Sequence, residues 1–232
     1  MTARRRSEPS RIEALSDGVF AFALTLLVVS LEVPGTLDEL LADLSGFGAF
    51  AVSFGALMLI WSVHNGFFRR YGLQDEWTMI LNGCLLFVVL FYVFPLKFVA
   101  AGLTGHIFGF GDYGRMPAVA SLDELSTLFL LYSLGFVLIF VFVSLMYAHA
   151  ARKAEPLRLD DVELHEANML KRHYAIFVLV GLVSISVTLL GVWVEFGFPG
   201  WIYTLLGPLC WLHGTWSERR CPAATSRRVS SS

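Results

Sequence analysis

Leu128-Phe129-Leu130-Leu131-Tyr132-Ser133-Leu134-Gly135-Phe136-Val137-Leu138-Ile139-Phe140-Val141-Phe142-Val143 contains no charged residue and no alternation of apolar with polar positions. A strand of a membrane barrel alternates with period two, so this run reads as a helix. Extended to about 125–149, it meets the ~20 apolar residues that a bilayer-spanning helix needs. Five further runs of the same kind lie at about 14–33, 47–68, 77–99, 174–194 and 200–216. The chain of 232 residues is 56% apolar and only 16% charged, against about 45–50% and about 25% for soluble domains. The reading is an all-α integral membrane protein, a six-helix transmembrane bundle over residues 1–220, with a disordered tail at 221–232.

The placement of basic residues orients the bundle. Arg4, Arg5, Arg6 and Arg11 precede the first run, and Arg69 and Arg70 follow the second. Arg152, Lys153, Arg158, Lys171 and Arg172 follow the fourth, and Arg219, Arg220, Arg227 and Arg228 follow the sixth. Of the 17 Lys and Arg, only Lys97 and Arg115 fall outside these segments. Basic connections stay cytoplasmic, so both termini are expected in the cytoplasm, and a different span count would scramble the alternation. The connection after the first run is acidic (Asp38, Glu39, Asp43), and plain solvation is the expected role of those carboxylates.

Other classes find little support. The basic N-terminus leads into an apolar run that carries Ser16 and Asp17 and lacks a small-x-small cleavage site, so a retained span is expected in place of a signal peptide. Three cysteines (Cys84, Cys210, Cys221) form neither a disulfide framework nor a metal spacing. There is no glycine-rich phosphate loop, and neither a cofactor, a protein-held metal nor nucleic acid is expected. The segment 101–124 is glycine-rich and read as an irregular outer loop. The charged stretch 152–165 is expected to extend the fifth helix into the cytoplasm.

The first run is chemically unusual. Asp17 lies just inside its cytoplasmic end, where an ionisable residue normally pairs and faces protein. Arg11, six residues earlier, is ~240° away around the helix and cannot serve. Trp61, His64 and Asn65 share one face at the cytoplasmic end of the second run, at matching depth. A hydrogen bond between Asp17 and His64 across the two helices is expected. Beyond Asp17, Gly18, Phe22, Thr25 and Val29 fall within a ~60° stripe, with Leu26 at its border. Small and hydroxylated residues on a stripe suit either close helix packing or the lining of a pore, and spacing does not choose between them.

Arg11-x-x-x-Leu15-Ser16-Asp17, Thr25-Leu26-Leu27 and Trp61-x-x-His64 together resemble the bacterial branch of the transmembrane protein 175 potassium channels, with Asn82 and Pro95 in familiar places. The specific part of the resemblance lies in the first three runs. It implies a potassium-permeable cation channel of four identical six-helix chains in the cell membrane, its pore lined by the first helix, with potassium as the permeant species. It also implies a hydrophobic constriction at Phe22 and a hydroxyl layer at Thr25, with Leu26 and Val29 lining the outer pore. Arg11, Ser16, Asp17, Trp61 and His64 would form the hydrogen-bonded network that fixes the helix. Two residues depart from the family pattern: Leu15 replaces the signature Phe, and Phe22 stands where relatives carry Ile or Leu. The alternative is a proton-coupled or other secondary transporter using Asp17 and His64, but the paired repeats and broken midplane helices of carriers are missing from the sequence. An enzyme would need convergent nucleophiles or carboxylates, and the apolar runs contain only Asp17 at unusual depth.

Overall fold

In a computed structural model that describes residues 10–29, 36–37, 47–108 and 121–218, five of the six runs are long helices: α1 (Arg11–Val29), α2 (Phe47–Tyr71), α3 (Glu76–Phe108), α4 (Leu122–Arg152) and α5 (Asp161–Leu189). These five are long and apolar enough to cross a membrane. Their starts follow local chemistry. Ser10 and Glu13 form a reciprocal capping box at α1, as do Asp160 and Glu163 at α5, and Ser121 caps α4. Each cap satisfies backbone N–H groups that have no partner within the first turn.

The run expected as a sixth span is built in pieces. It comprises α6 (Phe198–Trp201), a 3₁₀ segment (Ile202–Leu205) and α7 (Leu206–Glu218), after a 3₁₀ turn at Val194–Phe196. Gly191 and Gly197 adopt left-handed φ of 67° and 69°, conformations that cost glycine little and end a helix. Pro199 then supplies no N–H. A buried hydroxyl chain ties the pieces to their neighbours. Tyr203 donates to Ser133 Oγ (2.8 Å), the Ser133 and Ser184 hydroxyls meet at 3.1 Å, and Ser184 donates to the Pro199 carbonyl (2.9 Å).

Two other boundaries move. The third helix continues through Pro95 to Phe108, well past residue 99. Prolines are tolerated inside membrane helices because neighbours re-satisfy the freed backbone groups. The fifth ends at Leu189, short of 194, at the Gly191 turn. At its other end α5 does take in part of the charged connection. The acidic residues Asp38, Glu39 and Asp43, the basic arm Arg4–Arg6, Cys221 and the tail 221–232 lie outside the described residues.

The helices pack in series: α5 most extensively on α4, α4 on α3, and α3 on α2 and α1. Missing side chains allow two of these approaches. A Cβ on Gly135 of α4 would strike the Tyr92 ring of α3, and one on Gly181 of α5 would strike Val137 of α4. At the end of the bundle where α2 and α4 finish and α3 and α5 begin, polar contacts join the helices. Arg70 pairs with Glu166. Asp75 caps α3 through the Thr78 amide (3.3 Å) and hydroxyl, and meets His149 Nε2 at 2.7 Å and Lys153 Nζ at 3.4 Å. Partial burial acts to raise the pKa of Asp75, but the Thr78 hydroxyl, the His149 ring and the Thr78 amide outweigh it and hold the carboxyl at about 2.

Candidate functional site on the first helix

Helix α1 has two opposed faces. Ser16, Phe20, Ala23 and Leu27 are buried against the rest of the chain. At 100° per residue their mean direction lies ~160° from that of Gly18, Phe22, Thr25 and Val29. All four residues of that second stripe are exposed in the single chain, Phe22 by 55% and Val29 by 71%. Leu26, at the border, is half-buried. The stripe therefore does not pack α1 against α2, one of the two uses its spacing allowed. A row of exposed apolar side chains with a single hydroxyl is uncovered within the monomer.

The hydroxyl is specifically oriented. Thr25 Oγ1 donates its proton to the Ala21 carbonyl at 2.9 Å. Its oxygen lone pairs are left to accept, so toward the open face the group behaves as an oxygen ligand. Phe22, one turn toward the N-terminus, contributes an apolar ring.

At the other end of α1 the polar residues meet, although one pairing differs from expectation. Asp17 is bound by Trp61, whose Nε1 donates to Oδ1 at 2.8 Å. His64 bonds Asn82 of α3 instead, with Nε2 to Oδ1 at 2.7 Å. The Asn82 amide donates to Ser16 Oγ (3.0 Å), and Ser16 donates to the Ile12 carbonyl (2.8 Å). With the amide nitrogen committed to Ser16, Asn82 Oδ1 accepts, so His64 carries its proton on Nε2. Depth was read correctly from the antiparallel arrangement of the two helices. The partner was not, because the α2 rotation aims His64 at α3, between the rings of Phe20 (5.5 Å) and Phe68 (4.8 Å). Arg11 is exposed and has no partner among the described residues. It stands apart from the network in which it was expected.

Asn82 is the hub that sequence reasoning did not place. It is 3% exposed, as is His64, while Ser16 is fully buried. The signal was a lone side-chain amide in the otherwise apolar run that follows Thr78. Such a group must find hydrogen-bond partners inside the protein. Nothing in the cluster resembles catalytic machinery, since the Trp61, His64 and Asn82 donors each hold one helix to another and Ser16 donates within α1. Among the described residues no group of His, Cys, Asp and Glu is placed to hold a metal ion.

Comparison with known proteins places the chain among relatives. A family model described as the endosomal/lysosomal potassium channel TMEM175 matches residues 11–92, which include α1, α2 and Asn82. A potassium channel of Marivirga tractuosa is 36% identical, over 97% of this chain and 92% of its own length. A potassium channel of Chamaesiphon minutus is 29% identical over 84% of this chain and 91% of its own length. Among solved structures, a variant of the potassium channel MtTMEM175 bound to a nanobody fusion superposes with a TM-score of 0.80 at 34% identity, covering 94% of this chain and 99% of that one. The lysosomal potassium-selective TMEM175 homolog from Chamaesiphon minutus gives 0.55 at 25% identity, over 89% and 96%.

Proposed function

The chain belongs to the TMEM175 family of potassium channels, and we propose that four copies surround a pore lined by the α1 stripe and conduct potassium passively across the cell membrane. The observation that carries this reading is the stripe itself: Gly18, Phe22, Thr25 and Val29 are uncovered, directly opposite the face that α1 buries. Lipid can cover the apolar members of the stripe, but the exposed Thr25 hydroxyl among them suits an aqueous path, which a pore axis shared by several copies supplies.

In this arrangement Phe22 forms the constriction. It offers no hydrogen-bonding group, so an ion must shed water to pass, and hydrophobic necks gate by excluding water. Ring faces attract a partly dehydrated cation, which eases that cost. Thr25, ~4.5 Å farther along the helix axis, presents its hydroxyl oxygen to the ion, and Leu26 and Val29 line the outer side. Ser16, Asp17, Trp61, His64 and Asn82 set the rotation of α1 and hence the aim of the stripe. The six-span topology with both termini cytoplasmic belongs to the same proposal, with the α6–α7 segment as the last crossing. The basic connections support it by the positive-inside rule.

The decisive experiment is single-channel recording of the purified protein in planar bilayers under a potassium gradient. Discrete unitary currents reversing near the potassium potential are expected. Flux that saturates with substrate, without unitary steps, would replace the channel by the carrier that Asp17 and His64 first suggested.

A further inference from the structure

A groove of about 450 Å³ lies between the first three turns of α5 and the last turns of α7, and the channel reading makes no use of it. On α5 it is lined by Asp161, Leu164, His165, Asn168, Met169 and Arg172. These positions follow i, i+3, i+4 spacing and share one face. His213, Trp216 and Ser217 of α7 close the other side.

The groove has a sealed end and an open end. His165 and Ser217 join across the end nearer the start of α5, at 3.2 Å. Arg172 lies ~10 Å deeper along α5 than His165, and His213 ~6 Å deeper along α7 than Ser217. Among the described residues neither group has a hydrogen-bond or ion-pair partner, and Arg172 is exposed. Neither ring nitrogen of His213 has a hydrogen bond, although both are shielded from solvent. Arg172 has no carboxylate among the described residues. Ring nitrogens shielded from water and left idle lose hydrogen bonds they would keep in water, at a cost that a ligand removes. Asp161 is the one acid among the described lining residues. It is exposed at the rim, ~16 Å from Arg172 along the helix, which is beyond the ~8 Å screening length of physiological salt.

We propose that this groove binds a phosphate group, with the Arg172 guanidinium and the His213 ring donating to its oxygens. Guanidinium matches phosphate in charge and in fork geometry. The location suggests where the phosphate comes from. The groove is at the same end of the bundle as Arg69, Arg70 and Lys153, and its deep end adjoins apolar positions of α7, Leu209 and Leu212, that are exposed in the chain. Basic pockets between membrane helices at this level suit phospholipid headgroups. Trp216, 41% exposed at the groove wall, is the residue type enriched at headgroup depth. A soluble phosphate offers the same oxygens without the acyl chains.

Native mass spectrometry of the full-length protein in detergent tests this, with three probes: phosphatidylglycerol, diacylglycerol of the same acyl chains, and inorganic phosphate. Phosphatidylglycerol should be retained and diacylglycerol lost. Arg172→Gln should weaken retention about tenfold, the scale of one charge-assisted hydrogen bond. His213→Phe, which keeps a ring beside His173, should weaken it too, and Arg69→Gln, at an exposed arginine outside the groove, should leave it unchanged. Displacement of the lipid by inorganic phosphate would support the site and assign it a soluble ligand as well; lipid retained against excess phosphate would support a headgroup site. Equal retention of diacylglycerol, equal loss in Arg69→Gln and Arg172→Gln, or no retention of either phosphate probe would overturn the proposal.

Discussion

Replacing Asn82 by Leu changes shape little and removes the amide that holds three helices together. His64 Nε2 then has no acceptor. Its 2.7 Å bond to Asn82 is the only hydrogen bond of that ring among the described residues, and at 3% exposure between two phenyl rings water does not replace it. An unsatisfied buried donor costs about 1–3 kcal/mol. Ser16 loses its 3.0 Å bond from Asn82 but keeps its own to the Ile12 carbonyl, a further net loss of about 0.5–1.5 kcal/mol. Asn82→Leu should therefore destabilise the protein by about 1.5–4.5 kcal/mol. Trp61→Phe should cost less, because its partner Asp17 is exposed and stays hydrated. The assay is denaturant unfolding of purified protein in detergent, run as a double-mutant cycle with His64→Phe. Removing both partners leaves no orphan, so the double variant should recover part of the single loss. An Asn82→Leu variant that unfolds with the parent, or strict additivity in the cycle, would refute the hub.

Phe22→Ala should leave unfolding nearly unchanged, since the ring is uncovered in the chain, while raising unitary conductance and weakening discrimination between potassium and sodium in bilayer recordings. Thr25→Val, which removes the oxygen and keeps the shape, should shift the reversal potential in mixed potassium and sodium, whereas Thr25→Ser should preserve it. Gly181→Ala should destabilise by about 1–3 kcal/mol through collision with Val137 and Phe136; Gly66→Ala, with open space around it, should be neutral or gain, and paired unfolding curves separate the two. Asp75, with a folded pKa of about 2 against an ordinary value of 3.8, binds a proton less readily when folded. Its contribution is thus complete above about pH 4 and lost as pH falls through about 2, so Asp75→Asn should flatten the fall in melting temperature over that window.

Those experiments touch features that differ in how plainly the sequence carried them. Unbroken apolar runs declared α1 to α5, because run length is a property of the segment alone. Their ends were less readable. Pro95 marks a stop in a soluble helix yet sits inside α3, and the α5 terminus depends on left-handed Gly191. The 200–216 run reads as one helix, but the 3₁₀ segment Ile202–Leu205 interrupts it, where Tyr203 bonds Ser133 of a distant stretch. At the site, the 100° rule placed the stripe and the antiparallel run of α1 and α2 placed Asp17 level with Trp61 and His64. Which of those two reaches Asp17 is a matter of helix roll, and Asn82 enters from a third helix. Local periodicity contains neither.

Helix roll is also where anchor and stripe become one mechanism. A single hydrogen bond leaves a helix free to turn about the contact. Here two adjacent residues are tied: Ser16 to Asn82 on α3 and Asp17 to Trp61 on α2. Consecutive residues project ~100° apart, so the two tethers pull in different directions and only one roll angle of α1 satisfies both. Phe20, Ala23 and Leu27 continue the Ser16 face along the helix, each buried, so the angle set by the polar end is carried outward by packing. Phe22 and Thr25 then face away from the chain by rigid geometry alone. A roll of even one residue position, ~100°, would take Phe22 off the open side and expose Ala23 in its place. In the proposed pore the polar residues would therefore govern what faces the axis without lying on it, and loosening Asn82 should disturb conduction through the orientation of Phe22 and Thr25, with every stripe residue intact.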